Sequence, residues 1–320
     1  MFSLLSAFGK AILLGEHAVV YNRPALAVGL PNGLTVGTME PTDGRLELHV
    51  PAWNLQESDS SASKIGQALR KLKTLVAGSG KGFDLEISAN LPLGAGLGSS
   101  AALAVVATKA LLTVRGAPLE SGEIRRLAFE LEKVFHGQPS GLDDTVASFG
   151  GLCLFRRNGW IASSDEHLSR FEPVTEQALA LPFPVPSLVI GHSGVPRETL
   201  AMVDGVRRRH ENDPAGTTFL FDAIERCVML GLDALKRRDL NALGAAMNEN
   251  QQLLTALGVS APEIDMMVDL ARQAGSPGAK LTGAGGGGCV IALAGENGDA
   301  ILKAWSRAGF EAWLFQKTED

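Results

Sequence analysis

The chain has 320 residues, 45% hydrophobic and 20% charged, with a formal net charge of −6. At ~150 residues per domain this length predicts two domains or one large one, and the hydrophobic share excludes wholesale disorder. The acidic balance argues against a general nucleic-acid or anionic-membrane binder. Glycine, at 37 residues, exceeds its usual ~7% share without a collagen-like period, so the excess belongs to particular loops.

In chain order, Leu46, Leu48 and Val50 alternate with polar residues, as do Phe83, Leu85 and Ile87. Both runs predict half-buried strands. Residues 57–63 between them are polar and Ser-rich, a loop. Ile65, Leu69, Leu72 and Val76 recur at helical spacing, and Gly78-Ser79-Gly80 ends that helix. Residues 99–112 are Ala/Leu-rich and predict a buried helix. Ile124, Leu127, Ala128, Leu131 and Phe135 mark another helix, and Leu152–Phe155 a strand. Three prolines at 182–186 cannot continue a helix or central strand, so the predicted domains are 1–181 and 187–320. Beyond lie a strand at 188–191, three or four helices (219–235 and 240–257 among them), and strands at 289–293 and 312–315. The mixture is irregular, which predicts α+β rather than doubly wound α/β.

Cys153, Cys227 and Cys289 are far apart and form no C-x-x-C pair. A disulfide framework or zinc knuckle is not expected, and a reducing, cytoplasmic compartment fits. No apolar run reaches the ~18 residues of a membrane span. The start is apolar at Phe2, Leu4 and Leu5, but Lys10, Glu16 and His17 follow at once, unlike a signal peptide.

Two glycine loops stand out. Leu91-Pro92-Leu93-Gly94-Ala95-Gly96-Leu97-Gly98-Ser99-Ser100 runs from a strand into a helix. Its glycines permit φ > 0 and close approach of a ligand, and the helix start offers unpaired N–H groups and a positive dipole end. A tight turn with an ordinary Ser cap has the same pattern; four small residues and two serines favour phosphate. The second loop, Leu281-Thr282-Gly283-Ala284-Gly285-Gly286-Gly287-Gly288, loses much entropy on folding and reads either as a phosphate-closing loop or as a surface turn. Two near-matches are rejected. Gly283, Gly285 and Gly288 fit G-x-G-x-x-G, but an apolar strand follows where a dinucleotide fold needs a helix. Gly80-Lys81-Gly82 lacks the Ser/Thr and the upstream Gly of a P-loop.

Gly9-Lys10-Ala11-Ile12-Leu13-Leu14-Gly15-Glu16-His17-Ala18-Val19-Val20-Tyr21 resembles the opening motif of the GHMP kinases. Residues 94–101 resemble their P-x-x-x-G-L-G-S-S-A loop, with Pro92 in place, and 283–288 their third motif. The three motifs occur in family order across nearly the whole chain. Pro139-Ser140-Gly141-Leu142-Asp143 and Val195-Pro196-Arg197-Glu198-Thr199 are most similar to the members that act on mevalonate. The resemblance implies a two-domain α+β fold: an N-terminal domain with a left-handed βαβ unit, then a ferredoxin-like domain. It implies transfer of the ATP γ-phosphoryl group to the primary 5-hydroxyl of mevalonate, with Mg²⁺, and a homodimer. Another GHMP small-molecule kinase, such as one acting on phosphomevalonate, is the alternative; its second substrate phosphate calls for extra Lys/Arg that the sequence does not locate. Neither nucleic acid nor membrane is an expected partner.

Residue by residue, the resemblance assigns ATP to Pro92, Gly94, Ala95, Gly96, Leu97, Gly98, Ser99 and Ser100, and metal to Ser100 and Glu132. At ~100° per residue, Glu132 flanks the stripe of Ala128, Leu131 and Phe135, at the edge of the buried face. Asp143 matches the catalytic Asp, in a loop opening into Thr145, where an Asp N-cap is the structural alternative. Lys10 matches the reactive lysine, whose ammonium would hold that carboxylate ionised and stabilise developing charge. Lys10, Glu16, His17, Asp143, Ser193 and Gly285 are the substrate positions. The family usually has Asn or Thr after the catalytic Asp; here Asp144 follows, and it is expected in a loop hydrogen bond or in solvent. His136 precedes the Asp loop, as in the family, and its expected role is to orient that loop. Arg207-Arg208-Arg209 reads as a solvated helix face, and Met266-Met267 as core.

Overall fold

The computed structural model describes residues 5–78, 80–137, 139–159, 172–175, 178–196 and 199–315. Phe2, Leu4, Ser79, Arg197 and Glu198, each part of a sequence reading, lie outside the described residues. The elements in order are β1 (Ser6–Leu14), a 3₁₀ turn (Ala18–Tyr21), β2 (Ala25–Thr42), β3 (Leu46–Val50), a second 3₁₀ turn (Pro51–Trp53), β4 (Leu55–Ser58), α1 (Lys64–Leu75), β5 (Gly82–Ala89), α2 (Ser99–Val114), α3 (Ser121–His136), α4 (Leu142–Phe149) and β6 (Leu152–Phe155). There follow β7 (Glu172–Thr175), β8 (Ala178–Leu181), β9 (Leu188–His192), α5 (Thr199–Asn212), α6 (Pro214–Arg237), α7 (Leu240–Ala256), α8 (Pro262–Gln273), β10 (Ala279–Thr282), β11 (Cys289–Leu293), α9 (Gly298–Arg307) and β12 (Glu311–Phe315). The chain forms two compact units that interleave in sequence: 1–10, 29–94 and 98–150 make the first, and 11–28, 95–97 and 151–320 the second. The proline segment at 182–186 joins β8 to β9 inside the second unit.

In the first unit the C-terminal part of β2 pairs antiparallel with β5, β5 pairs parallel with β3, and β3 pairs antiparallel with β4. The parallel pair is connected through α1, the crossover that a parallel pair requires. Leu34, Val36, Leu46, Leu48, Phe83, Leu85 and Ile87 bury one sheet face against Leu69 and Leu72 of α1 and the apolar faces of α2 and α3. In α2, 12 of 16 residues are buried, as its Ala/Leu composition predicts for a helix enclosed on most sides.

In the second unit the N-terminal part of β2 pairs with β6, β6 with β8, and β8 with β7, all antiparallel. A separate antiparallel sheet has the order β10-β11-β9-β12. With helices between β9 and β10 and α9 between β11 and β12, this is the ferredoxin-like arrangement. Gly191 of β9 lets α8 and α9 close in: a Cβ there would stand 2.5 Å from Met267 and 2.6 Å from the Trp305 ring.

Sequence periodicity missed β1, β2, β7, β8 and β10, and β4 extends to Ser58, into the expected 57–63 loop. Met267 is buried, but Met266 is 53% exposed on the outer face of α8, so only one of that pair is core. Among the described residues no helix is long and apolar enough to cross a membrane, and all three cysteines are buried.

Candidate active site

The first glycine loop delivers the chain from β5 to α2. Gly94, Gly96 and Gly98 have φ of +73°, +91° and +73°, a region L side chains avoid. Gly98 is the N-cap of α2 and no side chain caps that terminus. The first-turn amides and the positive dipole end are therefore available to an anion. A Cβ on Gly98 would stand 3.2 Å from Lys10 Cβ, so the loop backbone runs against β1 at that residue. Ser99 is buried, and its hydroxyl accepts the Gly94 amide at 3.4 Å, bracing the loop. Ala95 and Leu97 are buried, Pro92 is half-buried and Gly94 is exposed.

Lys10 of β1 is 4% exposed, and its Nζ lies 3.1 Å from Asp143 Oδ1. Asp143 is not in a loop, nor is it an N-cap. It is the second residue of α4, whose N-cap is Gly141 at φ +88°. Successive helical residues project ~100° apart, and Asp144 turns away from Lys10 into the protein. The expectation of a loop or solvent position for Asp144 is thus corrected. It is 1% exposed and paired with Arg125 of α3, Nε to Oδ2 3.0 Å. Burial outweighs the attraction of Arg125 and pushes its carboxyl up to about 7.

Ser100, Glu132 and His136 form a compact group. Ser100 Oγ is 3.4 Å from Glu132 Oε2 and 3.2 Å from His136 Nε2, and the last two atoms are 3.5 Å apart. Glu132 is 1% exposed, deeper than the edge position expected from its helical angle, and its Oε1 has no hydrogen-bond partner. Burial first, then the nearby Asp143 charge, pushes its carboxyl up to about 8. A buried carboxylate with one oxygen beside the Ser100 hydroxyl and the other unpartnered has the oxygen chemistry of a hard cation such as Mg²⁺, which takes one or two protein ligands and keeps several waters. Among the described residues no three His, Cys, Asp or Glu side chains converge as a metal cluster.

In the second unit, Gly15-Glu16-His17 leaves β1 through φ of +104° at Gly15 and +58° at His17. Four contacts hold this turn. Gly15 N donates to Asn250 Oδ1 at 3.0 Å, and Ile12 N donates to Thr282 Oγ1 at 2.8 Å. His17 Nε2 lies 2.9 Å from the Ala284 carbonyl oxygen, and Glu16 Oε1 pairs with Lys280 Nζ of β10. Lys280 and Glu16 are 0% and 1% exposed, and burial lowers the lysine's pKa despite the opposing pull of Glu16. Sequence reasoning missed Lys280, Asn250, Thr282 and Arg125. The one available signal was a lysine inside the four-residue buried strand AKLT, since lysine is almost never fully buried unless paired.

The second glycine loop packs tightly. A Cβ on Gly285 would stand 2.0 Å from the Val259 carbonyl oxygen, one on Gly286 2.6 Å from Met202 Sδ, and one on Gly287 2.7 Å from the Val195 oxygen. Gly286 N and Gly288 N donate to the Val259 and Val195 carbonyls, and Ser193 N to that of Gly288. The glycines are therefore required by close backbone approach within this unit. Ser193 is buried, and its hydroxyl accepts the Val195 amide at 3.3 Å. Strand β11 follows the loop and Gly82 opens β5, so both dinucleotide and P-loop readings fail on structure as well.

The GHMP kinases N terminal domain matches residues 63–151, and the GHMP kinases C terminal domain residues 232–311. The mevalonate kinase of Thermococcus onnurineus is 32% identical to the chain, covering 96% of it and 93% of the relative. That of Methanothermobacter thermautotrophicus is 34% identical, covering 96% and 95%. Among solved structures, L. major mevalonate kinase in complex with R-mevalonate has a TM-score of 0.78 and 26% identity, over 98% of this chain and 96% of that one. The fold and site define a small-molecule kinase of mixed α+β architecture. The chain belongs to the GHMP kinase family.

Proposed function

We propose that the chain transfers the γ-phosphoryl group of ATP to the primary 5-hydroxyl of mevalonate. The observation that carries the chemistry is the Lys10–Asp143 pair, with a 4% exposed ammonium 3.1 Å from a carboxylate. The whole-length similarity to mevalonate kinases carries the substrate.

In this reading the loop from Pro92 to Ser100 receives the ATP phosphates at the uncapped start of α2. Asp143 accepts the proton of the substrate hydroxyl as its oxygen bonds to Pγ and the bond from Pγ to the ADP oxygen breaks. The Lys10 ammonium stabilises the alkoxide and phosphoryl charge that develop. Ser100 and Glu132 would hold Mg²⁺, which neutralises phosphate charge when bound. Glu16, His17, Ser193 and Gly285 would shape the substrate pocket, with Lys280 pairing Glu16 and Asn250 holding the turn at Gly15. Three buried cysteines, far apart in sequence and without a C-x-x-C pair, suit a reducing compartment such as the cytoplasm.

A coupled ADP-release assay over mevalonate, phosphomevalonate, galactose and homoserine tests the reading. The highest kcat/KM is expected for mevalonate. A higher value for phosphomevalonate or galactose overturns the substrate while leaving the kinase chemistry intact.

A further inference from the structure

We infer that Arg125 is a positioning residue for the phosphoryl transfer. Through Asp144 it sets the rotation of α4, and with it the place where Asp143 meets Lys10 and the substrate hydroxyl, a role that rests on the reading of Asp143 as the base.

The backbone of α4 does little to fix its own rotation. The helix is eight residues long and has a glycine at each end, Gly141 at φ +88° and Gly150 at φ +67°, and no side chain caps its start. Glycines permit many backbone directions, so neither end locks the helix about its axis. Leu142, Thr145, Val146 and Ala147 are buried, but apolar burial is non-directional. Among the described residues, α4 side chains make polar contacts with two other elements only: Asp143 with Lys10 of β1, and Asp144 with Arg125 of α3.

The angle matters because side-chain tips lie ~5–6 Å from a helix axis. A rotation of about 10° therefore carries the Asp143 carboxylate about 1 Å along its arc, and a misplacement of that size can cost about 10²-fold in rate. The Lys10 contact is a poor anchor, since its ammonium rides on a flexible four-carbon stem. Asp144 is a better one. It is 1% exposed, and the Arg125 side chain that donates to it is 20% exposed, so little solvent competes for the pair. The guanidinium is itself braced, with Arg125 Cζ 5.6 Å from the centroid of the Phe129 ring one turn along α3. A chain of contacts, Phe129 to Arg125 to Asp144, thus runs from α3 into the helix that carries Asp143.

The test uses the full chain and separates alignment from stability. Arg125→Met removes the donor and leaves Asp144 buried without it. In the coupled ADP-release assay with mevalonate, kcat is expected to fall at least roughly tenfold. The KM for ATP is expected to stay within about threefold, because the glycine loop is untouched. Adding Asp144→Leu replaces the pair by apolar side chains, an exchange that is often neutral or stabilising. The urea midpoint lost in Arg125→Met is then expected to return, while kcat stays at least roughly tenfold down. Return of kcat together with the midpoint would make the pair a stability device alone and overturn the inference. So would a kcat in Arg125→Met within about threefold of wild type, or a loss confined to the KM for ATP. Wild-type kcat in Asp143→Asn would instead remove the base assignment, and the positioning role with it.

Discussion

Arg125 of α3 grips Asp144 of α4, Nε to Oδ2 3.0 Å, one residue along the helix from the carboxylate that meets Lys10. Side chains of successive helical residues diverge by ~100°. Tying Asp144 to α3 therefore fixes the rotation of α4 that points Asp143 at β1. The same α3 carries Glu132 seven residues on from Arg125, about two turns away on the same side. Asp143, through its neighbour Asp144, and Glu132, the carboxylates proposed as general base and metal ligand, are thus both tied to α3.

The two aspartates should separate in kinetics. Asp143→Asn removes the proton acceptor and is expected to cut kcat by about 10²-fold or more, with the KM for ATP little changed. Asp144→Asn keeps the shape and an oxygen that accepts from Arg125, so kcat is expected within about tenfold of wild type. Steady-state kinetics decide it, and the reverse order of severity would mean that Asp144 is the base.

Stability of the metal-free chain should depend on pH through the same residue. The Asp144 carboxyl sits at about 7 in the fold, against an ordinary 3.8. A raised folded value means that the native state binds the proton more tightly than the unfolded chain. The associated stability is complete below about pH 4 and is lost as pH rises through about 7. Glu132 acts in the same sense, from 4.5 up to about 8. Thermal midpoints are expected to fall between pH 5 and pH 8, by ~2–4 °C for each kcal/mol lost. Asp144→Asn, which carries no titrating proton, should flatten the lower part of that decline. A wild-type midpoint that rises across the range would contradict the assignment.

Much of this was legible in the sequence, and the failures share a cause. Helices α1 and α3 announced themselves because each buries one stripe at period 3.6, α2 because its Ala/Leu-rich run suits a helix buried on most sides, and β3 and β5 because each buries one face. Strand β1 has six consecutive buried residues at its end, and β10 is buried at all four positions, so neither shows alternation. Pro139 and Gly141 read as a loop, yet Gly141 is the residue that starts α4. Lys10 and Asp143 were named through motif resemblance alone, since no local pattern relates residues more than a hundred positions apart; for Glu132 the helical angle added support to the resemblance. Arg125 and Lys280 belong to no motif recognised in the sequence. Their importance comes from partners chosen by tertiary packing.

Glu132→Gln tests the metal reading without changing shape. The amide cannot supply the second anionic oxygen, so weaker Mg²⁺ dependence and a kcat lowered at least roughly tenfold are expected. An unchanged Mg²⁺ titration of activity would make Glu132 structural.

The loop glycines separate strain from contact. Gly94 and Gly98 share a φ of +73°, so Ala at either costs ~1–2 kcal/mol of backbone strain. Only at Gly98 does the new Cβ meet a neighbour, at 3.2 Å from Lys10 Cβ; at Gly94 nothing lies within 4 Å. Gly98→Ala is therefore expected to lower kcat and raise the KM for ATP well beyond Gly94→Ala. Equal effects in the two variants would show that backbone strain, not the approach to Lys10, governs the loop.

Lys280 and Glu16 offer the sharpest test of the turn that carries His17. Both are essentially buried, at 0% and 1% exposure. Removing one partner of such a pair leaves a desolvated charge and costs ~3–5 kcal/mol, whereas removing both charges is often close to neutral. Lys280→Met keeps the chain length but deprives Glu16 of the ammonium, and is expected to lower the urea midpoint sharply and raise the KM for mevalonate. Adding Glu16→Gln to that variant removes the stranded carboxylate. The double variant should recover at least half of the lost midpoint, while its mevalonate KM stays raised if Glu16 itself serves the substrate. Recovery of both quantities would assign Glu16 a role in stability alone. Additive losses in the midpoint would mean that the two residues do not act as a pair.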